Sequence, residues 1–277
     1  MTNSYDTFRI QPSGARFFTP CDALKEYVRY YYVLTADGPC RQLTFPIGCP
    51  QIIFHRKSPL FIPELGTRQS RFTISGQVNF PAHVENTDDL EMIVALFYPH
   101  TIGIFTDTPP SEFYNMEISW DDIGNRHLND LAVRISDSPD ASTAVGLLEQ
   151  WLIAKIRKPQ NLGRIGYAVR QLLHNPSVSV GNLAGDVSLS RKQFERLFRE
   201  YVGMNPKEYA RIARFQQTLR MMQLGSRDYV GIACAAGYAD QSHFIREFRQ
   251  FSGLTPRRLI EQQTPYSDLY TSPLSFP

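Results

Sequence analysis

The chain repeats itself at an offset of fifty residues. Residues 189–206 read LSRKQFERLFREYVGMNP and residues 239–256 read ADQSHFIREFRQFSGLTP, with identical pairs at Phe194/Phe244, Arg196/Arg246, Phe198/Phe248, Arg199/Arg249, Gly203/Gly253 and Pro206/Pro256. Recurrence at such a period means one supersecondary unit used twice. Each copy follows a short apolar helical segment and a tight turn. Leu183-Ala184 leads to Val187-Ser188-Leu189-Ser190, and Ile232-Ala233 leads to Gly237-Tyr238-Ala239-Asp240. Both copies read helix, turn, helix.

The second helix of each copy is amphipathic in the same phase. With residues at 100° intervals and Phe194 at zero, Leu197, Phe198 and Tyr201 fall within about 60°, while Lys192, Arg196 and Arg199 lie roughly 140–200° away. In the second copy Phe244, Phe248 and Phe251 share the core side, and Ser242, Arg246 and Arg249 stand opposite. Ser190 and Asp240 occupy the N-cap positions, where a positive helix end favours a phosphate. Gly203 and Gly253, each with Pro three residues later, close the helices.

Charge follows the repeat. Residues 161–262 hold 15 Lys+Arg against 8 Asp+Glu, whereas the rest of the chain holds 14 against 19, so a net charge of +2 conceals a basic third beside an acidic remainder. Lys192 and Lys207 are the only lysines among those 15 residues. Arg suits bidentate contacts to guanine or phosphate. The major groove of B-DNA admits an α-helix whose outward side chains reach base edges while caps and flanking arginines hold phosphates. The expected partner of this region is double-stranded DNA.

Residues 164–262 resemble the DNA-binding domain of the AraC/XylS family. The match is densest in IACAAGYADQSHFIREFRQFSGLTPRRL, at Ile232, Ala233, Gly237, Tyr238, Asp240 to Phe244, Arg246, Phe248, Arg249, Gly253, Thr255 and Pro256. The resemblance implies seven helices in two helix-turn-helix subdomains, bridged by a helix at Tyr209–Gln223, with both recognition helices entering successive major-groove segments on one face of bent DNA. By position it implies base reading by Lys192, Glu195 and Arg196 and by Ser242, His243 and Arg246. Ser190, Arg191, Arg199, Asp240, Gln241 and Arg249 complete the expected DNA-binding set. Glu195 stands where an uncharged residue is often found, so what base it reads is left open.

The expected fold is α+β and multidomain: a β-rich, sandwich- or barrel-like N-terminal domain over residues 1–142, a helix and linker over 143–160, an all-α double helix-turn-helix domain over 161–262, and a loosely ordered tail over 263–277. In the first part an apolar stripe at Leu24, Tyr27, Val28 and Tyr31 predicts a helix over Asp22–Tyr32. Clusters of β-branched and aromatic residues predict strands at Gln51–His55, Phe72–Gly76 and Leu90–Tyr98. AVGLLEQWLIAKI places Leu148, Trp151, Leu152 and Ile156 on one helical face, which serves either packing on its own domain or dimerisation. PCDALKEYVRYYYVL and FPIGCPQIIF resemble the opening of a sensing or dimerisation domain found before AraC-type domains, with Leu24, Tyr27, Val28, Tyr31, Pro46, Gly48 and Ile52 to Phe54 as its core. Tyr30, Tyr31 and Tyr32 serve a core or line a pocket.

No stretch approaches the eighteen or so apolar residues of a membrane span, and the N-terminus lacks a signal pattern. A cytoplasmic protein is expected, with no membrane partner. Cys21, Cys40, Cys49 and Cys234 form no CxxC pair. His55, His83, His100 and His127 show no HxH spacing, and His83 with Glu85 alone would share a strand face. No GxSxG, phosphate loop or HExxH is present. No enzyme, cofactor or metal is expected. The reading is a transcriptional regulator, an activator of the AraC type, binding promoter DNA and RNA polymerase as a homodimer, with an effector or partner biasing how the N-terminal domains place the readers. The rivals are a cupin-type metal enzyme carrying an accessory DNA module, and a DNA-binding dimer that takes no ligand.

Overall fold

The structure, a computed structural model, describes residues 15–106, 108–123, 127–226 and 228–261; the expected tail at 263–277 lies outside them. The strands are β1 (Arg16–Phe18), β2 (Val28–Ala36), β3 (Cys40–Thr44), β4 (Gln51–His55), β5 (Phe61–Ile62), β6 (Thr67–Arg68), β7 (Phe72–Ser75), β8 (Ala82–Asn86), β9 (Leu90–Phe97) and β10 (Glu117–Ser119). The helices are α1 (His127–Ser136), α2 (Ala141–Lys155), α3 (Leu162–His174), α4 (Val180–Asp186), α5 (Arg191–Val202), α6 (Pro206–Gln223), α7 (Tyr229–Ala235), α8 (Gln241–Ser252) and α9 (Pro256–Glu261). The β-rich part followed by a helical part is the expected fold class.

The strands form two antiparallel sheets, a six-stranded one in the order β1-β2-β9-β4-β7-β10 and a four-stranded one in the order β3-β8-β5-β6. The central strands of the large sheet are buried on both faces. Tyr31, Val33, Ile52, Phe54, Ile93, Ala95 and Phe97 pack under α2, where Ala144, Leu148 and Leu152 complete one core. Tyr30, Tyr32, Leu34, Ile53, Met92, Val94 and Leu96 form another, facing the small sheet. Successive residues thus alternate between two dry faces, and the strands read as mainly apolar runs, broken in β2 by Arg29 and in β9 by Glu91.

That two-sided burial corrects one expectation. The segment Asp22–Tyr32 is no helix: residues 22–27 make tight turns, with Tyr27 N and Val28 N donating to Leu24 O, and from Val28 the chain is strand β2 paired along β9. Leu24, Tyr27, Val28 and Tyr31 fit helical spacing, but from Val28 the chain runs on through Tyr30, Tyr31, Tyr32 and Val33, and this β-branched and aromatic content decided for the strand. The strands expected at 51–55, 72–76 and 90–98 are β4, β7 and β9. Helix α2 buries Leu148 and Leu152 in the N-terminal core, with Trp151 and Ile156 packed at its margin. Trp151 meets Trp120 edge-on at 5.3 Å.

Seven helices fill the described part of residues 161–262. Their core gathers Phe194, Phe198, Tyr209, Phe215, Phe244, Phe248 and Phe251, and it continues into the β-rich part at Leu43 of β3 and Phe45 in the loop after it. Phe45 meets Phe215 edge-on at 5.9 Å, and Gln216 Nε2 donates to Pro46 O at 2.5 Å. Asn79 Nδ2 and Tyr114 OH both donate to Glu208 Oε1, the former at 2.6 Å. Helix α6 therefore carries the N-terminal sandwich on its side.

Candidate nucleic-acid interface

Helix α5 begins in a full capping box. Ser190 Oγ accepts from Gln193 N at 3.3 Å, while Gln193 Oε1 accepts from Ser190 N at 3.1 Å. Helix α8 begins at Asp240, whose Oδ1 accepts from His243 N at 2.7 Å. Both helices end at a glycine in the left-handed region, Gly203 at φ 93° and Gly253 at φ 74°. The preceding turns are also alike. Leu189 N donates to Ala184 O and Tyr238 N to Ala233 O, each at 2.9 Å. Ser188 at φ 55° and Gly237 at φ 75° make the left-handed step. From that step the second turn takes one residue more to reach its cap, which is why the helix-leading segments repeat at 49 residues and the second helices at 50.

The phase expected from the sequence is the phase observed. Phe194, Phe198, Phe244, Phe248 and Phe251 are fully buried. Arg191, Lys192, Arg196 and Arg199 on α5, and Gln241, Ser242, Arg246 and Arg249 on α8, are exposed, as are the caps Ser190 and Asp240. Each helix thus offers one basic strip, preceded by a capped N-terminus, to whatever approaches from solvent. Glu195 is half-buried, and Arg191 Nε holds its Oε1 at 3.0 Å, so the acid is neutralised within the helix surface. Arg196 lies 3.7 Å from Glu200 with its side chain 71% exposed, a contact that a stronger anion displaces at little cost.

His243 departs from its neighbours. Its ring meets Tyr238 edge-on at 5.2 Å, and its Nε2 lies 3.8 Å from Glu247 Oε2 on the inner side of α8. Glu247 is the residue that sequence reasoning passed over. Only 4% exposed, it sits against Arg211 Nε at 2.7 Å and Arg214 Nη1 at 3.7 Å, both on α6. Those guanidinium groups also lie over the rings of Phe251 and Tyr238 at 5.2 and 5.0 Å. A buried acid between two arginines fixes α8 against the bridging helix. The signal was present in the helical phase, because Glu247 falls where the first copy has the buried Leu197.

Elsewhere, His83 Nδ1 pairs with Glu64 at 2.7 Å and Glu85 with Arg41 at 3.1 Å, so each is engaged with a different partner. Among the described residues no three His, Cys, Asp or Glu side chains converge as metal ligands, and no helix is long and apolar enough to cross a membrane.

Two families match the chain. A helix-turn-helix domain covers residues 183–262, and a domain of unknown function (DUF6597) covers residues 16–119. The HTH-type transcriptional activator RhaS of Pectobacterium carotovorum is 29% identical over 146 residues, which is 49% of this chain and 52% of that protein. The RCS-specific HTH-type transcriptional activator RclR of Escherichia coli K12 is 30% identical over 129 residues, 43% of this chain and 45% of that protein. The chain spans about half the length of these curated relatives. Among solved structures, ToxT of Vibrio cholerae O395 aligns with 87% of this chain and 99% of its own at 12% identity and a TM-score of 0.44. With its two capped, basic helices, matching turns and bridging α6, the C-terminal region of the chain is a helix-turn-helix domain of the AraC type.

Proposed function

We propose that the chain is a sequence-specific transcriptional regulator of the AraC/XylS type, which binds double-stranded promoter DNA by laying α5 and α8 in two successive major-groove segments. The carrying observation is the duplication itself: two helices with the same cap, the same buried Phe pair and the same solvent-facing arginines, braced on one helix. A solvated charged face needs no such copy. In this reading Lys192, Glu195 and Arg196 on α5, and Ser242, His243 and Arg246 on α8, read bases, while Arg191, Arg199, Gln241, Arg249 and the capped N-termini at Ser190 and Asp240 hold the backbone. Because His243 leans on Glu247, its reach to a base edge is shorter than that of Arg246.

The N-terminal sandwich is the regulatory half, taking an effector or partner and pairing the chain as a homodimer, with RNA polymerase the target of activation in the bacterial cytoplasm. Its contacts to α6 support that division of labour. Footprinting of the full chain on DNA that it selects from a random pool tests the reading. Two protected major-groove segments about 10–10.5 base pairs apart are expected per chain, with no palindrome required. Affinity falls steeply with salt as phosphates shed counterions. Absence of DNA binding at low salt overturns the proposal.

A further inference from the structure

The two sheets of the N-terminal sandwich leave a cavity of about 110 Å³ between them. That is well above the roughly 10–15 Å³ that a single water needs. Its walls are mainly apolar, with Tyr32, Leu34, Ile53, Leu60 and Met92 contributing. No Lys, Arg or His among the described residues lines it, and Glu117 is its one carboxylate.

Glu117 is held for use as an acceptor. Ser75 Oγ donates to its Oε1 at 2.8 Å and Gln69 Nε2 to its Oε2 at 3.0 Å. Gln69 is itself oriented from behind, since its Oε1 lies 2.7 Å from Nε2 of the buried His55. This contact assigns the proton to Nε2, and burial lowers His55 to about 4, so the ring is neutral. The groups around Glu117 therefore supply hydrogen bonds and no countercharge. Burial raises its own carboxyl to about 7. A second acceptor stands two residues beyond Ser75. Gln77 is 2% exposed, its Nε2 donates to Gly48 O at 3.1 Å, and its Oε1 is buried with no donor. Buried acceptors are normally satisfied, and one without a donor on a cavity wall points to a ligand that brings it.

We propose that this cavity binds a small organic ammonium ion, its charged nitrogen paired with Glu117, its remaining N–H within reach of the Gln77 acceptor, and its apolar body among Tyr32, Ile53 and Met92. An anion has nothing to meet there, and a neutral apolar molecule leaves Glu117 and Gln77 unanswered. The site also leads to α6. Gly48, at φ 68°, lies so close to α6 that a Cβ there would stand 3.3 Å from the Tyr209 ring, and Phe45, also on the cavity wall, packs on Phe215. Filling the cavity thus bears on the loop at 45–49 that is wedged against the helix between the two readers. This coupling rests on the proposed DNA-binding function, whereas the site itself does not.

The test uses the full chain at pH 8 with propylammonium, butylammonium and benzylammonium, each beside the alcohol and the carboxylate of matching shape. Isothermal calorimetry and the thermal midpoint are read on the wild type and on Glu117→Gln, whose fold is checked by circular dichroism without ligand. At least one ammonium probe is expected to bind and raise the midpoint, with its alcohol and carboxylate partners inactive, and Glu117→Gln is expected to weaken it by on the order of tenfold or more. The wild-type discrimination decides even if the variant fails to fold. Equal binding of alcohol and ammonium, preference for the carboxylate, or no binding by any ammonium probe overturns the site. DNA affinity is measured on the same preparation by gel shift. A chain that binds an ammonium probe but no DNA refutes the reader and keeps the site, and one that binds DNA but no ammonium probe does the reverse.

Discussion

Replacing Glu247 by Leu, the residue at the matching position of the first copy, is expected to cost more stability than any substitution on the exposed face of α8. The acid is 4% exposed and neutralises two arginines. Their losses differ. Arg211 is 37% exposed and already bonded to Gln250, so it re-solvates, and its share is that of a surface pair, about 0–1 kcal/mol. Arg214 is 14% exposed and is left with a buried charge over the Tyr238 ring, where loss of a partner costs roughly 3–5 kcal/mol in a fully buried pair and less here, at 3.7 Å and with some exposure. A total of about 2–4 kcal/mol follows, read from urea unfolding of the full chain. Replacing Arg214 by Leu as well removes the stranded charge, and the double variant is expected to recover most of the loss. In footprints, Glu247→Leu should weaken the segment read by α8 and spare the one read by α5. A single variant as stable as wild type, with both segments equally protected, would refute the claim that this ion cluster sets α8 against α6.

Arg196→Ala and Arg246→Ala should each lose about 1–3 kcal/mol of specific DNA affinity in gel shifts while the melting temperature holds, because both side chains face solvent; a drop in stability instead would place them in the core. Phe198→Ala and Phe248→Ala, both fully buried, should cost about 3–5 kcal/mol in unfolding and lower DNA binding only as the fold is lost. Glu117→Gln should change how stability depends on pH. Its carboxyl is raised from 4.5 to about 7, so its stabilising contribution is complete below pH 4.5 and is lost as pH rises through 7. Against the always neutral variant, wild type should therefore fall behind by about 3 kcal/mol between pH 4.5 and pH 8, and a constant gap in urea midpoints would show Glu117 to be ordinary surface.

The two halves of the chain differed in what they disclosed. On α5 and α8 one face meets protein and the other meets water, so polarity alternates with the helical period and the phase of Phe194, Arg196, Phe198 and their copies could be computed from letters. Strand β2 meets protein on both faces, so Val28–Leu34, with Arg29 its one charge, carries little polarity contrast and spacing alone favoured a helix there, whereas the β-branched and aromatic content of Leu90–Tyr98 marked β9 as a strand. The start and extent of β2 came from its pairing with β9, which is not local information. The same limit hid the domain contacts. Glu208, Phe215 and Gln216 look like ordinary positions of an amphipathic helix until Asn79, Phe45 and Pro46 arrive from more than a hundred residues away. Glu247 lay between these cases: its phase marked it as inward-facing, but only the fold supplied Arg211 and Arg214.

Helix α6 is where the two halves meet, because both helix-turn-helix units and the sandwich pack on it. Phe198 of the first unit packs on its Tyr209 at 5.8 Å, and Glu247 of the second is held by its Arg211 and Arg214. The sandwich grips the same helix at Glu208, Phe215 and Gln216. It also reaches the far ends of both reading helices: a Cβ on Gly203 would come within 2.9 Å of Pro110 O, and one on Gly253 within 3.7 Å of Pro81. A domain seated across both C-caps and along the bridge has little leverage on one reading helix alone. What it can bias, under the proposed function, is the angle between them, since a groove-to-groove spacing of about ten base pairs tolerates few other arrangements of two reading helices. Under the proposed function, an effector acts only through its difference in affinity between angles that fit DNA and angles that do not. The coupling must then be reciprocal, so operator DNA should change the affinity of the sandwich for its ligand by the same factor as the ligand changes affinity for DNA.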